Sequence, residues 1–402
     1  MLKLALRNLF RQGTRTLLTL FAVIFGVTGL ILGGGFIEGV LSQLREGTIH
    51  SQLGHLQIAR DGYAALGRRE PFDYLMPDPA AIAAVPEGWP GVLETLTRLS
   101  FTALANNGRA DLPVLAEGVQ PDREVRLGSF ITIVDGRHLR DDDAHGVVLG
   151  KGVARFLKLA PGDPLTLIAT TPDGAVNSLE FRVVGIFQSF SRDYDDRALR
   201  IPLAAAQELL VSSGAHVVVL SLADTALTEP IAARLAASLP AGHEVKRWHE
   251  LADFYQKTEA LYRQQFGVLQ FIVLIMVLLS VANSVNMAIF ERTGEFGTLL
   301  ALGQRRGAVF RLIMLEYVLL GAFGALVGLA LGILAAIGIT ALEIPMPPQP
   351  GSDVSYNAVV SLIPGVLIQA FLVGWLACVV AAFLPGRRAS KLPVVEALRA
   401  NI

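Results

Sequence analysis

A short charged stretch between two apolar runs carries the residues best suited to act on something outside the chain. Residues 291 to 311 read ERTGEFGTLLALGQRRGAVFR. At helical spacing Phe296, Leu299 and Leu300 share one face, with Arg292, Glu295 and Arg306 off it. That is the pattern of a short amphipathic helix lying at a membrane surface. Five residues past Arg311 stands Glu316, the single charge in the apolar run 312–341. It lies about one to two turns inside the membrane surface. An intramembrane carboxylate is a functional candidate by default; the bland alternative is a structural ion pair or cap with Arg311 or with the basic first segment, and this is the preferred reading. Asn283 and Asn286 share a helical face, with Ser280 and Ser284 close by. In lipid such groups need partners on another helix. Gly324, Gly328 and Gly332 recur at four-residue spacing, with Gly321 three residues before. A glycine face of this kind suits tight helix packing, within the chain or against a second copy.

Other chemistry is missing. GVVLGKG (Gly146 to Gly152) has three residues between its first two glycines where a phosphate loop needs four, and Gly152 stands where Ser or Thr would hold magnesium. A strand, a turn and a helix start is the better reading. No G-x-S-x-G or H-E-x-x-H occurs. His138, Asp141, Asp142, Asp143 and His145 offer metal-binding donors, but their spacing suits a solvated acidic turn. No metal site is assigned. One cysteine, Cys378, excludes an internal disulfide framework and reads as a small packing residue. The net charge of −1 gives no sign of a nucleic-acid partner.

The elements around these residues follow from hydropathy. The chain is 52% hydrophobic and only 17% charged, below the roughly 25% charged of soluble domains. About 20 apolar residues cross a hydrocarbon core of roughly 30 Å. Four runs meet that length: 17–37, 266–290, 312–341 and 358–384. Gly29 and Gly33 in the first suit close helix contact. Residues 38–263 change character, with short apolar runs alternating with turn signals and helical patterns. Expected strands include Gly54–Ala59, Pro113–Val119, Pro164–Ala169, Ser178–Phe187 and His216–Leu222; expected helices include Pro79–Ala84, Val153–Leu159, Leu203–Leu210 and Glu229–Leu239. Trp248 to Arg263 should form a helix running straight into the second span. The expected fold is an α-helical membrane protein with four transmembrane helices and a large mixed α+β extracytoplasmic domain inserted between helices 1 and 2.

Orientation follows from the flanks. Residues 1–16, MLKLALRNLFRQGTRT, carry four bases on one helical face and suit a basic amphipathic elbow. The loop 291–311 and the tail 385–402 are basic too, whereas the Pro-rich loop 342–357 has no base. Positive-inside asymmetry puts both termini and the loop 291–311 in the cytoplasm. The large domain's own bases do not oppose this, because long domains translocate largely regardless of charge.

The loop ERTGEFGTLLALGQRR resembles the coupling segment of the FtsX-like, MacB-type ABC transporter permeases, usually E-R-x-x-E-I-G-x-L-x-A-x-G-x-x-R; Phe296 stands where Ile is common. PGRRASKLPVVEALR is similar to that family's C-terminal signature, and LALRNLFRQGTRTLLTLFAVIFGV to its elbow and first helix. GVVLGKGVARFLKLAPGDPLTLI and FRVVGIFQSF resemble strands of its outward domain. GHLQIARDGY leans toward the LolC/LolE lipoprotein-releasing branch. The resemblance implies a multi-pass protein of a bacterial inner membrane. It implies a dimeric cytoplasmic ATPase docked on Glu291, Arg292, Glu295, Phe296, Leu299, Arg305 and Arg306, with ATP and magnesium held there and no cofactor in this chain. It also implies a second permease copy or paralogue, membrane lipid, and a periplasmic carrier or adaptor as partners, and motion passed through the helices to the outward domain. This chain would then be no enzyme itself. The spans offer few polar groups to line an aqueous path, which agrees. Lipoprotein release or export of another amphiphile is the expected role. The alternatives are an FtsX-type scaffold that switches a periplasmic cell-wall hydrolase, or MacB-type efflux with an adaptor.

Overall fold

A computed structural model describes residues 13–67, 69–127, 130–348 and 353–391. Most of the basic elbow and the tail beyond 391 lie outside the described residues. The chain divides into a helical unit (1–42, 259–346 and 357–402) and a sheet unit (43–258 and 347–356).

Five helices matter to the helical unit: α1 (Gly13–Thr48), α2 (Asp253–Glu291), α3 (Thr293–Ala301), α4 (Arg306–Ala341) and α5 (Pro364–Ala389). All but α3 are long and apolar enough to cross a membrane. Their ends correct the expected boundaries. Helix α1 continues past Glu38, because no Pro or positive-φ Gly interrupts it before Gly54, which has φ 66°. Helix α2 begins at Asp253; Trp248–Leu251 is a separate turn, broken at Ala252 (φ −92°, ψ 63°). Helix α5 begins at Pro364 rather than at 358. Proline presets the first helical turn and pushes the residue before it out of the α region; Ile363 is accordingly extended at ψ 129°. Residues 358–363 instead lie along α1, where Ser361 N–H donates to Gly35 O at 2.9 Å. Side chains at Gly35 and Gly39 would collide with this segment.

Packing among the helices follows the small residues. A Cβ placed on Gly324 would stand 3.2 Å from Leu20 and Val23 of α1, one on Gly328 2.9 Å from Val27, and one on Gly332 2.7 Å from Ile31. Thr28 Oγ1 donates to Gly328 O at 3.1 Å along the same seam. The glycine face of α4 thus lies on α1, while Gly321 meets Cys378 of α5. Close backbone approach replaces the hydrophobic drive that lipid cannot supply. Between α1 and α2, Gly26 and Gly34 make the closest contacts, with Val277 and Phe266, and Gly33 touches Leu269, whereas Gly29 has open space around it.

Among the described residues the sheet of this unit has ten strands: β1 (Leu56–Arg60), β2 (Val92–Asn106), β3 (Asp111–Val119), β4 (Thr132–Gly136), β5 (Gly146–Gly150), β6 (Pro164–Thr170), β7 (Val176–Gln188), β8 (Ala198–Pro202), β9 (Val217–Leu222) and β10 (His243–Arg247). Their order is β10-β1-β9-β2-β3-β8-β5-β7-β4, with β6 against β2 and β7. Among the described residues, β3–β8 and β5–β7 run parallel and the other pairings of this sheet antiparallel. Strand β2 organises the sheet. Its first half pairs with β9, its second with β3 and β6. Every residue of β9, VVVLSL, is buried, which explains its near-continuous apolar run.

Two buried histidines give this unit a pH dependence. His216 accepts from Ser100 N–H at 3.2 Å through Nδ1 and donates to Pro71 O at 2.9 Å through Nε2. His55 accepts from Leu222 N–H at 3.1 Å. Burial pushes both rings down to about 4. The unfolded chain therefore binds more protons below pH ~6.5, and the stability each neutral ring contributes is lost as pH falls from there toward 4. Asp195, raised by burial to about 6, works the other way. At pH 5 the histidines lose a little under 2 kcal/mol each and Asp195 returns a little over 1, a net loss of about 2.5 kcal/mol. Hydrogen exchange of the Val217–Leu222 amides in the intact chain, corrected for intrinsic rate, should show roughly 60-fold less protection at pH 5 than at pH 7. Unchanged protection would contradict the assignment.

Candidate functional site

The site lies at the junction of α2, α3 and α4, and one buried ion pair builds it. Arg292, the N-cap of α3, sends Nη1 to Glu316 Oε2 at 2.7 Å and Nη2 to Glu316 Oε1 at 3.2 Å. Its Nε donates to Glu295 Oε2 at 3.1 Å, and its guanidinium lies 5.0 Å from the centre of the Phe296 ring. The side chains of Arg292 and Glu316 are only 12% and 8% exposed. Of the two partners expected for Glu316, the basic first segment lies mostly outside the described residues, and Arg311 is corrected to Arg292. Arg311, five residues earlier on the same helix, is rotated about 140° away and is exposed. Arg292 reaches Glu316 because the chain reverses sharply between α2 and α3. A fork of two parallel donors fits a carboxylate far better than a point charge does.

Phe296 is the second anchor. It is 1% exposed and packs in a cluster with Val281, Val285, Val309, Ile313 and Tyr317. Leu299 and Leu300 pack at its margin. The apolar face of α3 is therefore turned onto its own neighbouring helices. What faces outward is the following turn: Leu302 is 78% exposed, and Arg305 and Arg306 are exposed beside it, as is Glu291. Sequence reasoning passed over Leu302. Its signal was a leucine immediately before Gly303, which has φ 88° and ends the helix.

The remaining sequence candidates fall elsewhere. Asn283 and Asn286 are exposed on α2 and make no hydrogen bond among the described residues, while Ser284 accepts from Thr19 Oγ1 at 2.6 Å. Gly324, Gly328 and Gly332 line the α1 seam. Gly146–Gly150 is strand β5, and Lys151 starts a helix with its Nζ on Gln188 Oε1 at 3.0 Å. The Asp196 carboxylate sits against Gly152, the wrong charge for a phosphate. In the acidic turn, Asp143 pairs with Arg137 at 2.7 Å and accepts from Arg140 N–H at 2.9 Å. Among the described residues no group of three His, Cys, Asp or Glu side chains could hold a metal.

Comparison with known proteins follows this division. Residues 16–238 match the MacB-like periplasmic core domain, and residues 267–394 match the FtsX-like permease C-terminal region. The chain is an ABC transporter permease of the FtsX-like, MacB type. An ABC transporter permease of Methanocaldococcus jannaschii is 30% identical over 69% of this chain and 68% of its own length. A macrolide export ATP-binding/permease protein, MacB, of Rhodospirillum rubrum is 27% identical over 100% of this chain. The permease spans 60% of that MacB's length. The lipoprotein-releasing transmembrane protein LolC of Xylella fastidiosa is 21% identical over 95% of this chain and 92% of LolC. Among solved structures, the periplasmic region of MacB from Actinobacillus actinomycetemcomitans aligns with TM-score 0.35 and 14% identity, over 50% of this chain and 93% of that region. The permease is thus a multi-pass membrane protein with a mixed α/β domain.

Proposed function

We propose that this permease passes ATP-driven motion from a separate cytoplasmic ATPase to an extracytoplasmic sheet unit inserted between α1 and α2, in a bacterial inner membrane with both termini cytoplasmic. One observation carries this reading. The turn after α3 presents an exposed Leu302 flanked by Arg305 and Arg306, while Phe296 and the Arg292–Glu316 pair fasten α3 to the membrane helices. A partner that pushes on such a tip moves the helices with it. The ATP and magnesium would be held on that partner.

A second permease copy or a paralogue completes the assembly. Asn283, about 12 Å into α2 from Glu291 at 1.5 Å per residue, is exposed with Ser280 and Asn286 in the single chain. Hydrocarbon leaves such amides unsatisfied; a neighbouring permease does not. The favoured cargo is a lipoprotein or another amphiphile, handed to a periplasmic carrier. Similarity to LolC over nearly the whole of that protein supports this. Similarity to macrolide-export MacB over the whole of this chain supports a second reading, export with a periplasmic adaptor.

Native mass spectrometry of the permease purified with its ATPase tests the proposal. Two permeases and two ATPases are expected. Leu302→Asp, which disturbs no buried group, should weaken ATPase retention at least tenfold and leave the permease pair intact. Full retention in that variant would remove the tip from the docking surface. A complex with one permease would remove the second copy.

A further inference from the structure

Within the sheet unit, the last turn of α1 passes into a π-turn, Ile49–Leu53, whose carbonyls are handled in an unusual way. Helix ends leave carbonyls without intrahelical partners. Here three in succession are taken by side chains. Ser51 O accepts from Arg200 Nη2 at 3.0 Å, Gln52 O from Arg98 Nη1, and Leu53 O from Gln57 Nε2 at 2.8 Å. Gly54, at φ 66°, then turns the chain into β1.

The two arginines come from strands far apart in sequence, Arg98 on β2 and Arg200 on β8, and are 3% and 4% exposed. Glu124 pairs with both, Arg98 Nε at 3.1 Å and Arg200 Nη1 at 3.0 Å. Glu117 accepts from Arg200 Nε at 3.1 Å and from the Tyr194 hydroxyl at 2.6 Å. Two cations and two anions cancel. Burial works against the Glu124 carboxylate, yet Arg98 and Arg200 outweigh it and hold its pKa below the ordinary value.

Holding two strands together does not require this. Burying such a quartet costs several kcal/mol per ion, and apolar side chains of similar volume often do the same job at no loss of stability. Apolar side chains cannot, however, satisfy the two carbonyls, one of them buried. We propose that Arg98 and Arg200 are positioning residues that clamp the π-turn to the sheet, so that the outer end of α1 and the sheet move as one body and not about a hinge. Glu117, Glu124 and Tyr194 hold the two guanidinium planes in place. The use of this clamp in transmission rests on the function proposed above; the clamp itself does not.

Hydrogen exchange on the full chain in nanodiscs, without any ATPase, separates the two. The deciding variant is Arg98→Met with Glu124→Leu, which keeps the packing and removes the grip on Gln52 O. The amides of Ser51 to His55 should exchange at least tenfold faster, with Val217–Leu222 as protected as in the parent. Arg98→Lys, which keeps a charge beside Glu124 but cannot span to both partners, should act in the same direction. Turn amides protected as in the parent would overturn the clamp. So would loss of protection throughout the sheet in both variants, because the arginines would then serve only stability. Failure of the transporter reading would leave these rates unchanged.

Discussion

Gly328→Leu will lower the yield of folded, monodisperse permease at least tenfold, while Gly338→Leu on the same helix will leave it unchanged. The reason is what each new side chain meets. A Cβ on Gly328 would stand 3.0 Å from Ile24 O and 3.2 Å from Ile24 Cα, both backbone atoms of α1, whereas nothing lies within 4 Å of one on Gly338. Backbone inside a packed helix cannot step aside, so the helices must separate. Overpacking of this kind costs about 1–3 kcal/mol or more, a large share of the stability of any protein. Separation would also break the Thr28 hydrogen bond to Gly328 O. Gly324→Leu should be milder, since only the side chains of Leu20 and Val23 crowd it, at 3.2 Å. Size-exclusion profiles of the three variants give the ranking. Equal behaviour of Gly328→Leu and Gly338→Leu would show that the seam between α1 and α4 is not close-packed.

Glu316→Gln will destabilise the junction of α2, α3 and α4 by about 3 kcal/mol, and Arg292→Met with Glu316→Leu will recover most of that loss. Removing one partner of a buried pair leaves the other charge uncompensated, at about 3–5 kcal/mol, whereas replacing both by apolar groups is often close to neutral. The lower end is expected, because Glu295 still holds Arg292 Nε at 3.1 Å from a 41% exposed position. Arg292→Lys should fall between, since an ammonium cannot reproduce the two-donor fork. Thermal unfolding in a fixed detergent measures the order. The functional consequence separates stability from coupling. If the pair orients α3, the apolar double variant will fold well and still dock its ATPase less tightly. A double variant as unstable as Glu316→Gln would mean that the pair itself, and not an orphaned charge, supplies the stability.

What the sequence determined on its own was local. Runs of 20 or more apolar residues located the four long helices, because a helix in hydrocarbon must satisfy its backbone within itself. The short helices Pro79–Ala84 and Leu203–Leu210 end where their patterns end, since capping and helical period act over a few residues. The amphipathic reading of 291–311 located α3, and the loop and tail motifs pointed to the family. Tertiary structure decided everything that joins residues far apart. Strand β2 was passed over, because its burial alternates only where it leaves β9 for β3 and β6. The apolar face of α3 is compatible from sequence with a membrane surface or with neighbouring helices, and only packing placed Phe296 among α2 and α4. Among the described residues Glu316 pairs with Arg292, 24 residues away, and Ser51 O with Arg200, 149 residues away. Periodicity says nothing at such separations. A buried charge takes whichever partner the fold brings within about 3 Å, and that choice exists only once the helices and strands have packed.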